Sequence, residues 1–143
     1  MSRGKFEKVE KSEKRMYGKR GLLVCGSPPS EQSALLSLFE QISLGDLPVV
    51  FSRTGDLDRT VKDVMNSADR SGMGEDSPMK RAIIMSGLTQ KELHTVMTAH
   101  RAFGMPSRLW AALTPVSENW NLHALLNELE AESKVMEKKR KNR

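Results

Sequence analysis

Four short apolar runs alternate with four amphipathic stretches along this chain. The runs are residues 21–26 (GLLVCG), 47–51 (LPVVF), 81–87 (RAIIMSG) and 109–113 (LWAAL). Continuous apolar runs of this length are typical of strands that are buried on both faces of a sheet. Apolar residues at helical spacing follow each run, which predicts one helix after each strand. The helical positions include Leu35, Leu38, Phe39, Ile42, Val61, Val64, Leu93, Val96, His100, Leu122, Leu125, Leu126 and Leu129.

Two strand-to-helix junctions carry local signals for the start of a helix. Thr89 and Glu92 have the spacing of a capping box, in which each side chain bonds the free amide of the other residue. Ser27 is a predicted N-cap, with Pro28 at the first helical position. These signals support the strand–helix boundaries that the apolar pattern predicts.

The alternation of strands and helices predicts an α/β fold. We expect a three-layer parallel four-stranded sheet, in the order 2-1-3-4, built from two βαβα halves. The halves are residues 19–68 and 81–132, within a single domain that spans 19–132. Residues 69–80 (DRSGMGEDSPMK) lack periodicity and are predicted to be a flexible linker. The two halves look alike and suggest an internal repeat, although any two βα units share this appearance.

Basic residues are concentrated at the two ends of the chain. The formal net charge is +5, yet residues 1–20 carry eight Lys or Arg against three Glu, and residues 133–143 carry six against one. The body between them is therefore mildly acidic. We predict disordered basic tails over residues 1–18 and 133–143, which either contact nucleic-acid phosphates or only keep the protein in solution. The candidate nucleic-acid-binding residues are Lys138, Lys139, Arg140 and Lys141.

Composition narrows the classes of protein. No apolar run reaches the roughly 18 residues of a membrane span, and the first residues have no apolar leader. The single cysteine rules out an intramolecular disulfide framework and a cysteine-rich zinc site. These features predict a cytoplasmic protein that does not contact membranes.

A parallel sheet in this order would have a switch point between its first and third strands. Ligands of such folds bind beyond the carboxyl ends of those strands, where helix N-termini also point. The glycines match neither a dinucleotide fingerprint nor a phosphate-binding P-loop. A small ligand or anion is therefore one hypothesis here, and tight turns with simple helix caps are the alternative. The residues concerned are Cys25, Gly26, Ser27, Ser86, Gly87 and Thr89.

No arrangement typical of catalysis is evident. His94 and His100 are six residues apart and so lie on different faces of one helix, and no metal-binding histidine motif occurs. Cys25 lacks a C-x-x-C partner and is better explained as a buried small hydrophobic residue. We predict no catalytic residues, no metal and no cofactor.

The loop after the fourth strand is a candidate partner-binding site. Trp120 precedes the last helix, where it is either a lid over the end of the sheet or an exposed anchor for a partner protein. The residues of this candidate site are Thr114, Pro115, Ser117, Asn119 and Trp120.

The second half resembles a known family. The segments IIMSGLTQKELHTVM and RLWAALTP, followed by NW and an acidic Leu-rich helix, are similar to the bacterial family called domain of unknown function 3783, over residues 82–130. Ala111 and Ser117 stand where that family often has Lys and Asn. The resemblance implies an α/β fold in a bacterial cytoplasm and brings no activity.

These observations favour a non-catalytic protein-interaction or regulatory module. A nucleic-acid- or ribosome-associated accessory protein, acting through the basic tails, is the first alternative. A small-ligand or anion binder at the switch point is the second. The oligomeric state stays open.

Overall fold

Strands and helices alternate through residues 14–141, the part of the chain that this computed structural model describes. The alternation predicted from the apolar pattern is confirmed. The strands are β1 (Gly21–Cys25), β2 (Val49–Phe51), β3 (Ala82–Ser86) and β4 (Leu109–Ala112). The helices are α1 (Pro29–Gln41), α2 (Val61–Met65), α3 (Gln90–Ala102) and α4 (Leu122–Lys141), with 3₁₀ turns at Thr54–Asp56 and Ser117–Asn119.

The sheet has the predicted order β2-β1-β3-β4, but its strands are not all parallel. β1 and β2 are parallel, as are β3 and β4, whereas β1 and β3 are antiparallel, with Leu23 opposite Ile84. The predicted parallel sheet is therefore wrong, and the sheet is mixed. The cause is the path of the linker, which leads to the carboxyl end of β1. There the Gly26 N–H donates to Ser77 Oγ at 2.9 Å, and β3 begins beside Cys25.

Apolar cores lie on both faces of the sheet, because successive side chains of a strand point to opposite sides. Leu22 and Val24 of β1 face one core, and Leu23 and Cys25 face the other. The first core is closed by α1 and α3, and the second by α2 and α4. Helix residues of the first core are Leu35, Leu38, Phe39, Val96 and Ala99, and those of the second are Val61, Val64, Leu122, Leu125 and Leu126.

The two halves correspond at a constant offset along the chain. Helix α1 begins at Pro29 and α3 begins at Gln90, and each helix has 13 residues. Leu23 and Ile84 are related by the same offset as these two helix starts, and they face each other across the antiparallel pair. We call two residues related by this offset equivalent positions. Equivalent positions of the two halves therefore lie opposite each other at the centre of the β1–β3 pair.

Two ion pairs also involve equivalent positions of the two halves. Arg20 binds Glu92 at 2.5 Å, and Arg81 binds Glu31 at 2.6 Å. Each pair has its arginine just before the inner strand of one half and its glutamate in the first turn of the other half's helix. The halves are thus joined twice by the same kind of contact.

The turns after β1 and β3 require glycine. Gly26 and Gly87 have φ of +76° and +65°, in the left-handed region that favours glycine. A Cβ on Gly26 would lie 2.6 Å from the carbonyl oxygens of Met79 and Lys80, and one on Gly87 would lie 2.5 Å from the carbonyl oxygen of Gly18. At each turn the chain leaving one strand crosses the chain entering its antiparallel neighbour.

The ends of the described chain are more ordered than we predicted. Residues 133–141 continue α4, contrary to the predicted disordered tail. Lys, Arg, Glu and Met favour helices, and cations in a last turn suit the helix dipole. The Met16 N–H donates to the Leu88 carbonyl at 2.8 Å, so part of the predicted N-terminal tail contacts the β3–α3 turn. Residues 1–13 and 142–143 of the predicted tails lie outside the described residues.

Within residues 14–141, no helix combines the length and the apolar composition that a membrane span requires.

Candidate functional site

The outer edge of β4 carries backbone groups that have no hydrogen-bond partner among the described residues. The Leu109 N–H donates to the carbonyl of Arg81, just before β3, at 2.9 Å, and the Leu113 N–H donates to the carbonyl of Met85 in β3 at 2.8 Å. Because alternate residues of a strand face the same neighbour, the N–H and C=O groups of Trp110 and Ala112 point away from the sheet. No hydrogen bond from residues 14–141 reaches these four groups. Within this described part of the chain, strand β4 therefore has what we call an open edge.

The other edge of the sheet, at β2, is covered by the chain itself. The Val49 N–H donates to the Asp69 carboxylate at 2.8 Å, and the Val49 carbonyl accepts from the Arg70 N–H at 2.6 Å. The Phe51 N–H donates to the Ser71 carbonyl at 2.8 Å. We call residues 69–72, which bond three of the four outward groups of β2, the cover segment.

The covered and open edges are equivalent positions of the two halves. Trp110 is equivalent to Val49, and Ala112 is equivalent to Phe51. The residues equivalent to Asp69–Ser71 are 130–132, which lie inside the long helix α4. The second half therefore has no segment of its own at this place, because its last helix continues where the first half's helix ends at Met65.

The cover segment lies very close to β2. Gly72 has φ +78°, and a Cβ at this position would collide with the Phe51 carbonyl oxygen. Arg70 is also in the left-handed region, with φ +70°. The cover segment is thus a kinked strip held by one carboxylate and two backbone bonds, with a glycine against the edge.

A buried polar cluster fixes the start of β4. The Arg108 side chain is fully enclosed and donates to His100 Nε2 at 2.9 Å, to Ser27 Oγ at 3.0 Å and to Glu31 Oε1 at 3.3 Å. Hydrogen bonds from Arg81 lower the pKa of Glu31, so the buried guanidinium has a carboxylate beside it. A buried charge with such partners is stable, whereas an unpaired one is costly.

His100 connects this cluster to the edge. Its Nε2 accepts from Arg108, so the ring is neutral with its proton on Nδ1. Burial, and then the charge of Arg108, lower the pKa of His100. The ring also meets Trp110 edge-on, with centroids 5.1 Å apart. Neutral His100 therefore supports both the arginine before β4 and the tryptophan on it.

The cluster occurs in one half only. The positions equivalent to His100 and Arg108 in the first half are Phe39 and Leu47, both buried in the apolar core. The position equivalent to Ser27 in the second half is Leu88, which is buried too. The described halves therefore differ in the residues that support the start of β4.

Two hollows flank β4. One of about 520 Å³ lies towards α4, and one of about 230 Å³ lies towards α3. Cationic side chains are prominent in their walls, together with Glu130 and Glu137. The cations are Lys80, Arg81, Arg101, Arg108 and Lys134.

The six residues of the predicted switch-point site do not come together. Since β1 and β3 are antiparallel, Cys25 is opposite Ala82, whereas Ser86 is opposite Gly21. The group Cys25, Gly26 and Ser27 therefore lies at one end of the strand pair, and the group Ser86, Gly87 and Thr89 lies at the other. A single crevice lined by all six does not form.

Three of these residues have structural roles instead. Ser27 is not the N-cap of α1, which is Pro28, and its hydroxyl accepts from Arg108. Thr89 forms the predicted capping box with Glu92. Cys25 is fully buried, and burial raises its pKa to about 12, so the thiol is neutral.

The five predicted partner-binding residues do lie in one loop, directly after β4. The Thr114 and Ser117 hydroxyls bond each other at 3.0 Å, and Asn119 donates to the Pro115 carbonyl at 3.1 Å. The Trp120 side chain is 38% exposed. The loop is therefore compact, and its tryptophan is accessible.

The four predicted nucleic-acid-binding residues form the end of α4. Lys138, Lys139, Arg140 and Lys141 are exposed and helical. They lie well away in sequence from the open edge.

Sequence reasoning missed the open edge, the cover segment and Arg108. One signal was present: β4 reads LWAA, without the Lys or Pro that usually protects an edge strand. The bonding of Asp69–Ser71 to β2 had no such signal, because it depends on where the linker lies.

Comparison with known proteins agrees with the resemblance seen in the sequence. Residues 81–136 match the family model described as "Domain of unknown function (DUF3783)". This segment includes β3, α3, β4 and most of α4, and hence the open edge. Neither a curated protein nor a solved structure matches the chain.

Proposed function

We propose that this chain is a non-catalytic protein-interaction module that binds an extended segment of a partner protein along the open edge of β4. One observation carries this proposal. Three of the four outward groups of β2 (the Val49 N–H and C=O and the Phe51 N–H) are bonded by the cover segment, whereas the equivalent groups of Trp110 and Ala112 are bonded by nothing among residues 14–141.

An exposed edge strand is a template for another strand. Proteins that recognise extended peptides use this geometry, in which backbone bonds provide affinity and neighbouring pockets provide specificity. The β4 edge offers two donors, two acceptors and the partly buried Trp110, with a hollow on either side. Tryptophan is frequent among residues that dominate binding energy.

The loop after β4 extends this surface. Val116 is 66% exposed and Trp120 is 38% exposed, so apolar area continues from the end of the strand. The proposal therefore keeps the predicted partner-binding residues of this loop and adds the strand edge to them.

The proposal also treats the two halves as repeats of one structural unit. Their constant offset, their paired arginine–glutamate contacts and their matching glycine turns support that view. On this basis the first half shows how such an edge is satisfied. A bacterial cytoplasm suits the family match and the enclosed, unpaired Cys25.

The test uses two substitutions at one residue. Ala112→Pro removes an outward N–H without removing a bond to β3, while Ala112→Ser keeps that N–H. The tagged full chain and both variants are used to purify partners at high salt with nuclease, and each partner is then examined by hydrogen exchange. We expect Ala112→Ser to retain the partner and Ala112→Pro to lose it, with protection of the Trp110 and Ala112 amides in the complex. Equal retention by both variants, or protection elsewhere only, would refute the proposal.

A second candidate function rests on the end of α4, where four consecutive cations are exposed. Such a stretch suits contact with the phosphates of RNA or of a ribosome. Gln substitutions of Lys138, Lys139, Arg140 and Lys141 should then abolish a salt-sensitive, nuclease-sensitive association and leave the β4-dependent one intact. Unchanged association with nucleic acid would exclude this role for them.

A further inference from the structure

The cover segment shows what chemistry an edge of this sheet accepts. It provides a carboxylate for the first outward N–H, a backbone N–H for the carbonyl of the same residue, and a carbonyl for the second outward N–H. Its sequence is Asp69-Arg70-Ser71-Gly72. A regular β-strand added to this edge would accept the hydrogen bond of the first outward N–H with a backbone carbonyl. The Asp69 carboxylate in that place therefore distinguishes the cover segment from a regular strand.

Two positions of the segment are restricted by backbone conformation. Arg70 has φ +70°, which glycine and asparagine adopt more readily than other residues. Gly72 has φ +78° and leaves no room for a Cβ beside the Phe51 carbonyl. A segment with the same path therefore has Asp first, favours Gly or Asn second, and needs Gly fourth.

Resting on the proposed function, we infer that the β4 edge binds partner segments of the type Asp-Xaa-Ser-Gly, in the path that the cover segment takes on β2. The backbone groups that such a segment would bond are present on β4, because Trp110 corresponds to Val49 and Ala112 corresponds to Phe51. Ala112 is smaller than Phe51 and exposed, so the glycine of the segment has at least as much room.

The charges beside β4 suit an acidic segment. In the first half, the Asp69 carboxylate accepts from the Arg70 guanidinium at 2.8 Å as well as from Val49. In the second half, Arg101 lines the hollow towards α3, whereas Lys134 in the other hollow is already paired with Glu130 at 3.1 Å. Arg101 provides a cation for a partner whose second residue is not basic.

A second copy of the chain fits this edge less well. The cover segment of each copy already serves its own β2. Direct pairing of two β4 strands would join only four residues from each copy and would bring like-charged hollows together. Dimerisation through β4 is nevertheless a distinct outcome of the experiment.

The experiment titrates the ¹⁵N-labelled full chain with a synthetic peptide that has the sequence of residues 66–75 (NSADRSGMGE). We expect saturable shifts of the Trp110 and Ala112 amide signals. A peptide with Ala for Asp69 or Val for Gly72 should bind about tenfold more weakly, because the first loses a charge-assisted hydrogen bond and the second collides with a carbonyl. The Ala112→Pro protein should not respond, and the Ala112→Ser protein should.

Three results would overturn the inference. These are shifts confined to Val49 and Phe51, equal binding of all three peptides, and a doubled mass in solution that Ala112→Pro abolishes. If no peptide binds but a partner is still lost by Ala112→Pro, the segment type is wrong and the proposed function stands. If the peptides bind as expected while Ala112→Pro retains every partner, the proposed function fails and the edge chemistry stands.

Discussion

Arg108 and His100 share a buried hydrogen bond in which the guanidinium Nε donates to the imidazole Nε2 at 2.9 Å. The bond exists only while Nε2 carries no proton. Protonation of the ring would therefore break it and place a second positive charge beside the buried arginine. Arg81 and Glu31 are the other charged groups of this cluster, and Arg101 lies beside His100 in the wall of one hollow.

This relationship predicts the pH dependence of stability. Burial and the charge of Arg108 hold the pKa of His100 in the folded protein below its ordinary value of 6.5. At a pH between the folded and unfolded pKa values, the unfolded chain therefore binds more protons than the folded protein. The free energy of unfolding should be highest above pH 7 and should fall as pH drops below about 6.5, by at most about 1.4 kcal/mol per pH unit. Urea unfolding between pH 8 and 5 measures it. The exposed His94→Gln should keep the slope, and a slope that survives His100→Phe would contradict this origin.

Breaking the cluster from one side should be costly. Arg108→Leu leaves the Ser27 hydroxyl and His100 Nε2 without a partner, while Glu31 keeps its ion pair with Arg81, and we expect a loss of about 1–3 kcal/mol. Adding His100→Phe recreates the Leu47 and Phe39 pair of the other half. The double variant should therefore be more stable than the sum of the single variants, with a coupling of about 0.5–3 kcal/mol. Chemical denaturation of all four proteins gives this value, and strict additivity would show that the two residues act independently.

The crossing at the end of β1 predicts a strong glycine requirement. Gly26→Ala combines an unfavourable φ with a close approach to two carbonyl oxygens, so we expect a loss of about 2 kcal/mol or more. Gly55→Ala is the matched control, because no atom lies within 4 Å of its Cβ position and its φ is ordinary. The control should change stability by less than about 0.5 kcal/mol. Thermal or urea unfolding compares them, and equal effects would show that the crossing tolerates a side chain.

The cover segment should protect its edge from solvent. Asp69→Ala removes the acceptor of the Val49 N–H, and the exposed location of the carboxylate limits the expected loss of stability to about 1 kcal/mol. Exchange of the Val49 amide should accelerate more than that of Val50, which faces β1. Asp76→Ala, at an exposed position further along the linker, should leave both amides unchanged. Unaltered exchange at Val49 in the Asp69 variant would mean that the carboxylate does not cover this amide in solution.

Much of the local structure was predictable because it depends on neighbouring residues. The four apolar runs became the four strands, and Thr89 with Glu92 formed the predicted capping box. The strand order was also predicted, since short connections place successive elements side by side. Burial of Cys25 and His100 followed from their positions in apolar stripes.

The candidate site was not predictable in the same way. Ser27 and Arg108 are far apart in the sequence and meet only because β1 ends where β4 begins. The open edge requires knowing that residues 69–72 lie on β2 and that α4 does not turn back over β4. Both are consequences of long-range packing.

The sequence by itself determined the strands, the helices, their order and the positions where the chain turns, because apolar periodicity, caps and glycine conformations act over a few residues. Only the tertiary structure decided that β1 and β3 are antiparallel. Both strands are apolar on both faces, so their side chains do not distinguish the two directions. The direction was set by the linker. Ser77 bonds this linker to Gly26, and its cover segment pairs with one edge of the sheet, while the other edge stays open among the described residues.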